Sequence, residues 1–178
     1  MVMDQETQSL VPLNFDIIKE QLPELNRFQV KLESLSFDQP IDSSNMSPDI
    51  WKELAGVIHT NYDSFDGFVV LHGTDTMSYT ASALSFMLED LSKPVVFTGS
   101  QLPIGMLRTD GRENLITAVE IAAAKENGVP IVPEVALYFE NKLYRANRTS
   151  KSSAEHFEAF TSYNYDPLAT VGVSIRYN

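Results

Sequence analysis

Three short apolar runs most constrain how this chain folds: residues 67–71 (GFVVL), 94–97 (PVVF) and 134–139 (EVALYF). The first two suit parallel strands covered on both faces, and the third also reads as a strand. Helical periodicity separates them. Met77, Ala81, Leu84 and Leu88 recur at helical spacing after the first run. Leu115, Ala118, Val119 and Ala122 do so after the second. Strand and helix signals in alternation predict an α/β fold with a largely parallel sheet.

Weaker signals fill in the rest. Residues 28–35 (FQVKLESL) alternate apolar and polar side chains, which predicts a half-exposed strand. Ser47 before Pro48 reads as a helix start, with Ile50, Leu54, Val57 and Ile58 on its inner face and Trp51 packing beside them. A second start lies near Thr109 or Asp110, and Gly128 with Pro130 is expected to end that helix. Leu143-Tyr144 reads as a short return strand, residues 154–160 as a short helix and residues 170–177 as a last strand.

Composition narrows the function. A chain of 178 residues fits one domain. It has no cysteine, which excludes disulfides, thiolate nucleophiles and cysteine-ligated metals. The three histidines, His59, His72 and His156, stand far apart and form no HExxH pattern. A net charge of −11 disfavours binding to nucleic acid or to anionic membrane surfaces. No apolar run approaches the roughly 18 residues of a membrane span. Residues 1–7 lack the basic start and apolar stretch of a signal peptide. The sequons at Asn45 and Asn147 are of the kind that arises by chance.

In open α/β sheets, ligands bind beyond the carboxyl ends of the strands. The first two runs end in hydroxyl-rich turns, Thr74-Asp75-Thr76 and Thr98 with Ser100, and Arg148-Thr149-Ser150-Lys151 follows the third. Ser, Thr and Asp are also ordinary helix caps, and capping is the simpler reading of any one such turn. His72 reads as a buried, satisfied histidine, and Gly73 as a turn former. The HGTDT turn stands out because two hydroxyls, a carboxylate and a glycine share five residues. A hydroxyl becomes a nucleophile when a base takes its proton. A lysine serves as that base where its surroundings favour the neutral amine, and an aspartate can orient it. Thr74, Asp75 and Lys151 would make such a set, although Lys151 on its own reads as a solvated surface residue. The sequence has no GxSxG, GxxxxGK[ST] or GxGxxG motif.

GFVVLHGTDTM at 67–77 resembles a signature of the asparaginase/glutaminase family. FTGSQLPIGMLRTDGRENL at 97–115, LYFENKLYRANRTSK at 137–151 and DSSNM at 42–46 are similar to its cytoplasmic type I branch. The likeness runs from about Leu10 to Tyr177. It implies a three-layer α/β/α fold with a mixed, mostly parallel sheet and antiparallel pairing near one edge. It also implies a left-handed crossover, which general handedness rules would not predict. The implied reaction is hydrolysis of L-asparagine to L-aspartate and ammonia, with no metal or organic cofactor, in a cytoplasmic homo-oligomer (a dimer or tetramer). Thr74, Asp75 and Lys151 match catalytic positions. Ser43, with Ser44 beside it, matches the substrate-carboxylate contact. Asp75 matches the group that binds the α-amino group, and backbone at Gly73 and Thr74 shapes the pocket.

The sequence also departs from the family pattern. It contains no TGGT motif, whose first threonine is the family's primary nucleophile. Leu10 takes the place of a lid tyrosine. Residues 1–178 therefore read as the family's N-terminal domain, without its first strand and without the C-terminal domain. Two other functions fit such a chain. One is a related amidase acting on glutamine or supplying ammonia for tRNA amidation. The other is a non-catalytic amino-acid-binding fragment.

Overall fold

The computed structural model describes residues 2–3, 10–11, 18, 22–37 and 40–178. Helix α1 spans Pro48–Asn61, strand β1 Phe68–Leu71, α2 Met77–Met87, β2 Val95–Thr98 and α3 Gly111–Ala123. Four further strands follow: β3 (Val135–Phe139), β4 (Lys142–Arg145), β5 (Ala169–Val171) and β6 (Ile175–Tyr177). All six lie side by side in chain order. β1, β2 and β3 are parallel, with Val70 opposite Phe97 and Phe97 opposite Leu137. β4, β5 and β6 then pair antiparallel, each with the strand before it.

Side chains alternate along each strand, so each central strand feeds two cores. Val95, Phe97, Val135, Leu137 and Phe139 point toward Met77, Ala81 and Leu84 of α2. Trp51, Leu54 and Ile58 of α1 close that core from outside, and the Trp51 indole N–H donates to Thr80 Oγ1 at 3.0 Å. On the other face, Val96, Ala136 and Tyr138 pack on Ala118, Ile121 and Ala122 of α3. The result is three layers, with helices on both sides of a mixed sheet.

This arrangement has a handedness consequence. The β1–α2–β2 and β2–α3–β3 crossovers each step one strand in the same direction along the sheet. Their helices lie on opposite faces. Two such crossovers have opposite hands, so one of them is left-handed, against a strong general preference.

Several elements differ from the sequence reading. Residues 28–37 form no strand: among the described residues they have no ladder partner, and Val30 and Leu35 face solvent. Alternation alone does not make a strand where backbone groups have nothing to pair with. Residues 154–157 are bends rather than helix, and Phe160–Thr161 instead pairs antiparallel with Ser150–Lys151. The expected last strand is a hairpin of two, β5 and β6. Helix α3 stops at Ala123, ahead of Gly128, which sits at φ +83 in a small hairpin of Lys125–Glu126 and Val129–Pro130. Ser47 stands at the N-cap of α1 with extended backbone, but its side chain makes no capping bond. Leu10 lies in a two-residue strand pairing with Met3, and its side chain is outside what the structure describes.

Candidate active site

Adjacent parallel strands end at the same edge, so the turns after β1 and β2 meet there. The His72 N–H donates to the Thr98 carbonyl at 2.9 Å and extends the ladder one step. Gly99 allows this approach, because a Cβ on it would stand 2.2 Å from the His72 carbonyl oxygen. Gly73 has a similar reason: a Cβ there would stand 2.5 Å from Ser43 Oγ. The HGTDT turn therefore packs on the Ser43–Asn45 turn, and Thr76 Oγ1 donates to the Ser43 carbonyl at 2.6 Å.

Lys151 reaches this edge by a long route. β4 carries the chain away from the carboxyl ends of the parallel strands. The turn Ala146–Arg148 then packs along α2, with Ala146 buried in that core. The short strand Ser150–Lys151 is anchored through its partner: Phe160 packs edge-on against Phe139 with ring centroids 5.0 Å apart. The Tyr144 hydroxyl donates to the Phe160 carbonyl at 3.1 Å. So anchored, Lys151 Nζ donates to Thr74 Oγ1 at 2.9 Å and to Asp75 Oδ1 at 2.7 Å. Its side chain is only 15% exposed, which overturns the reading as a solvated surface lysine, whereas that of Asp75 is 66% exposed. One face of the Asp75 carboxylate is thus held by the amine while the rest stays open to a cationic ligand.

The other expected residues are placed as follows. Ser43 is buried against the Thr74 turn. Ser44 is exposed, and both its N–H and its hydroxyl donate to Asp42 Oδ1. These bonds, the backbone N–H first, hold the Asp42 carboxyl below its ordinary range. Thr98 is fully buried and donates to the Tyr138 carbonyl at 2.9 Å, which makes it a structural hydroxyl. His72 Nδ1 bonds the Gly73 carbonyl at 2.8 Å, while Nε2 is buried without a partner among the described residues. Burial pushes its pKa down, and the Gly73 carbonyl opposes this more weakly. The expected satisfied histidine is therefore satisfied at one nitrogen only.

The sequence reading missed Gln101 and Asp110. Thr74 Oγ1 donates to Gln101 Oε1 at 3.0 Å. Asp110, buried at the start of α3, accepts from the backbone N–H groups of Gln101 and Leu102 and from Asn114 Nδ2. Both residues lie within the 97–115 block that resembles the family, but by themselves a polar residue after a strand and an acid before a helix occur at many caps. A depression of about 560 Å³ adjoins Gln101, lined also by Met106, Arg108, Glu155 and Phe157. Among the described residues no group of three or more histidines and carboxylates is placed to hold a metal ion.

A doubly covered α/β domain, with a hydroxyl, a carboxylate and an amine joined at its strand ends, is the class that fold and site define. The family is specific: the profile "Asparaginase, N-terminal" matches residues 1–178, and the chain belongs to that family. L-asparaginase 1 of Escherichia coli strain K12 is 46% identical over 177 residues, covering 98% of this chain and 51% of that protein. The crystal structure of L-asparaginase I from Vibrio cholerae superposes with a TM-score of 0.86 at 44% identity, covering 99% of this chain and 52% of that one. The mouse 60 kDa lysophospholipase is 52% identical over 141 residues, covering 79% of this chain and 24% of that protein. The chain thus spans about half the length of the bacterial relatives it matches.

Proposed function

We propose that residues 1–178 are the N-terminal domain of an L-asparaginase, and that the complete protein hydrolyses L-asparagine to L-aspartate and ammonia. The observation that carries this reading is the contact of Lys151 with Thr74 and Asp75 across more than 70 residues of chain. Amide hydrolysis needs a hydroxyl that can give up a proton, a base to take it and a route to return it to the departing nitrogen. Thr74 Oγ1 and Lys151 Nζ are within hydrogen-bond reach and form the proton-carrying pair. Asp75 orients Lys151, and its open face receives the substrate's α-ammonium group. Ser43, with Ser44 beside it, supports a carboxylate contact at the neighbouring turn, and backbone at Gly73 and Thr74 shapes the wall between them. Water supplies the oxygen that replaces the amide nitrogen, and ammonia leaves.

The same resemblance supports a homo-oligomeric, cytoplasmic enzyme that needs no cofactor. Among the described residues no helix is long and apolar enough to cross a membrane. The test is ammonia release by the complete protein from L-asparagine and, in parallel, from L-glutamine, with fatty-acid release from a lysophospholipid followed as a separate readout. Release from L-asparagine that is lost in Lys151→Met supports the reading. Release from another substrate alone, or none above Lys151→Met, overturns it. Sedimentation of the complete protein tests the oligomer.

A further inference from the structure

We propose that Gln101, held in place by Asp110, is a positioning residue that pins the Thr74 hydroxyl for Lys151; this rests on the reading of Thr74 as a reacting group. Gln101 is tied on three sides. Its backbone N–H donates to both carboxylate oxygens of Asp110, at 3.0 and 2.9 Å. Its side-chain Nε2 donates to the His156 carbonyl at 3.0 Å. Its Oε1 accepts from Thr74 Oγ1 at 3.0 Å. A carbonyl oxygen can only accept, so His156 fixes which end of the Gln101 amide is which. The NH2 group faces His156, and the oxygen must face Thr74. The Thr74 hydroxyl hydrogen is therefore committed to Gln101, and the bond at 2.9 Å from Lys151 is one in which the lysine donates.

This geometry pins an atom that is otherwise mobile. Thr74 lies in a turn ahead of α2, so its hydroxyl has no carbonyl of a preceding helical turn to hold it, and its χ1 well is set by the partners it finds. Here Oγ1 sits between one acceptor and one donor that come from different parts of the chain. Rotation about the Cβ–Oγ1 bond can then move the hydrogen from Gln101 toward Lys151 while the oxygen stays in place. Asp110 acts one step further back. It gathers the Gln101 and Leu102 N–H groups and the Asn114 amide, so the turn after β2 presents Gln101 at a set height above the strand ends.

Two variants of the complete protein test this, both without the donor to His156: Gln101→Met, which keeps length but also loses the acceptor, and Gln101→Glu, which keeps an acceptor toward Thr74. The expected result for Gln101→Met is a kcat lowered roughly tenfold, the size of one hydrogen bond, with KM changed by less than about twofold. Gln101→Glu should retain a kcat closer to the parent's. Crystal structures should show the Thr74 χ1 well redistributed in Gln101→Met and retained in Gln101→Glu. Equal losses in both variants, a rise in KM alone, or an unmoved Thr74 in Gln101→Met would overturn the proposal. The χ1 comparison decides the matter even if L-asparagine proves not to be the substrate, whereas an inactive parent protein would sink the asparaginase reading alone.

Discussion

The parallel and antiparallel halves of the sheet contribute to the site in different ways. β1 and β2 end beside each other, so Thr74, Asp75 and Gln101 arrive together as a consequence of parallel pairing. β4 turns the chain back through Glu140 and Asn141, both at positive φ, and Lys151 returns only after packing along α2. The first half places its groups by local turns at strand ends. The second places one group through a long excursion held by Phe160, Phe139 and Tyr144. A short turn tolerates little change in its backbone, whereas the long excursion depends on how well its anchors pack.

The sharpest way to break this contrast is to remove what the second half delivers. Lys151→Ala should lower asparagine hydrolysis by the complete protein at least about 100-fold, as for loss of a general acid–base group. Its thermal midpoint should fall only modestly: the ion pair with exposed Asp75 contributes little, and what is lost is the packing of the mostly buried Lys151 stem. Phe160→Ala removes a buried ring that anchors Ser150–Lys151 and should cost about 3–5 kcal/mol in chemical denaturation. In the first half, Gly99→Ala should cost about 1–3 kcal/mol, because its Cβ would run into the His72 carbonyl. A negligible loss in Gly99→Ala, or a mild one in Phe160→Ala, would break the contrast.

Two smaller effects sharpen it. Glu140 stands at φ +44 where the halves join. Glu140→Gly relieves that strain and should raise stability by about 1 kcal/mol. His72 reports on the parallel half through pH. Its folded pKa lies below the ordinary 6.5, mainly from burial, so the unfolded chain takes up the proton first as pH falls. Stability from this group is therefore present above about pH 6.5 and is lost as pH falls from there toward the folded pKa. Thermal midpoints measured from pH 7.5 to 5.5 should fall less steeply in His72→Asn than in the parent.

Much of the parallel half could be read directly from residues. PVVF is buried at every position, as two covering layers demand, whereas Phe68–Leu71 stands last in the six-strand order, only partly buried and with Leu71 exposed; the helices between them carry a clear inner face. The HGTDT turn was visible because its chemistry is contiguous. The segments 28–35 and 154–160 misled for one reason. Period-2 and period-3.6 patterns state which side chains prefer burial, but a strand also needs a neighbour for its N–H and C=O groups, and a short helix needs a surface to lie on.

The amino-acid sequence by itself determined the α/β class, the order of the central strands and helices, and the place of Thr74 and Asp75 just beyond a strand end, whereas Ser43 came only from the resemblance. Its motifs also carried the resemblance to asparaginases. Only the tertiary structure decided that Lys151 is a partly buried partner of Thr74 rather than a surface lysine, that Gln101 takes the Thr74 hydroxyl, and that Thr98 serves the sheet instead of the site. The reason is range. Burial preference and turn chemistry act over a few residues and are written in the chain. A hydrogen bond between groups 77 residues apart depends on how the layers pack between them.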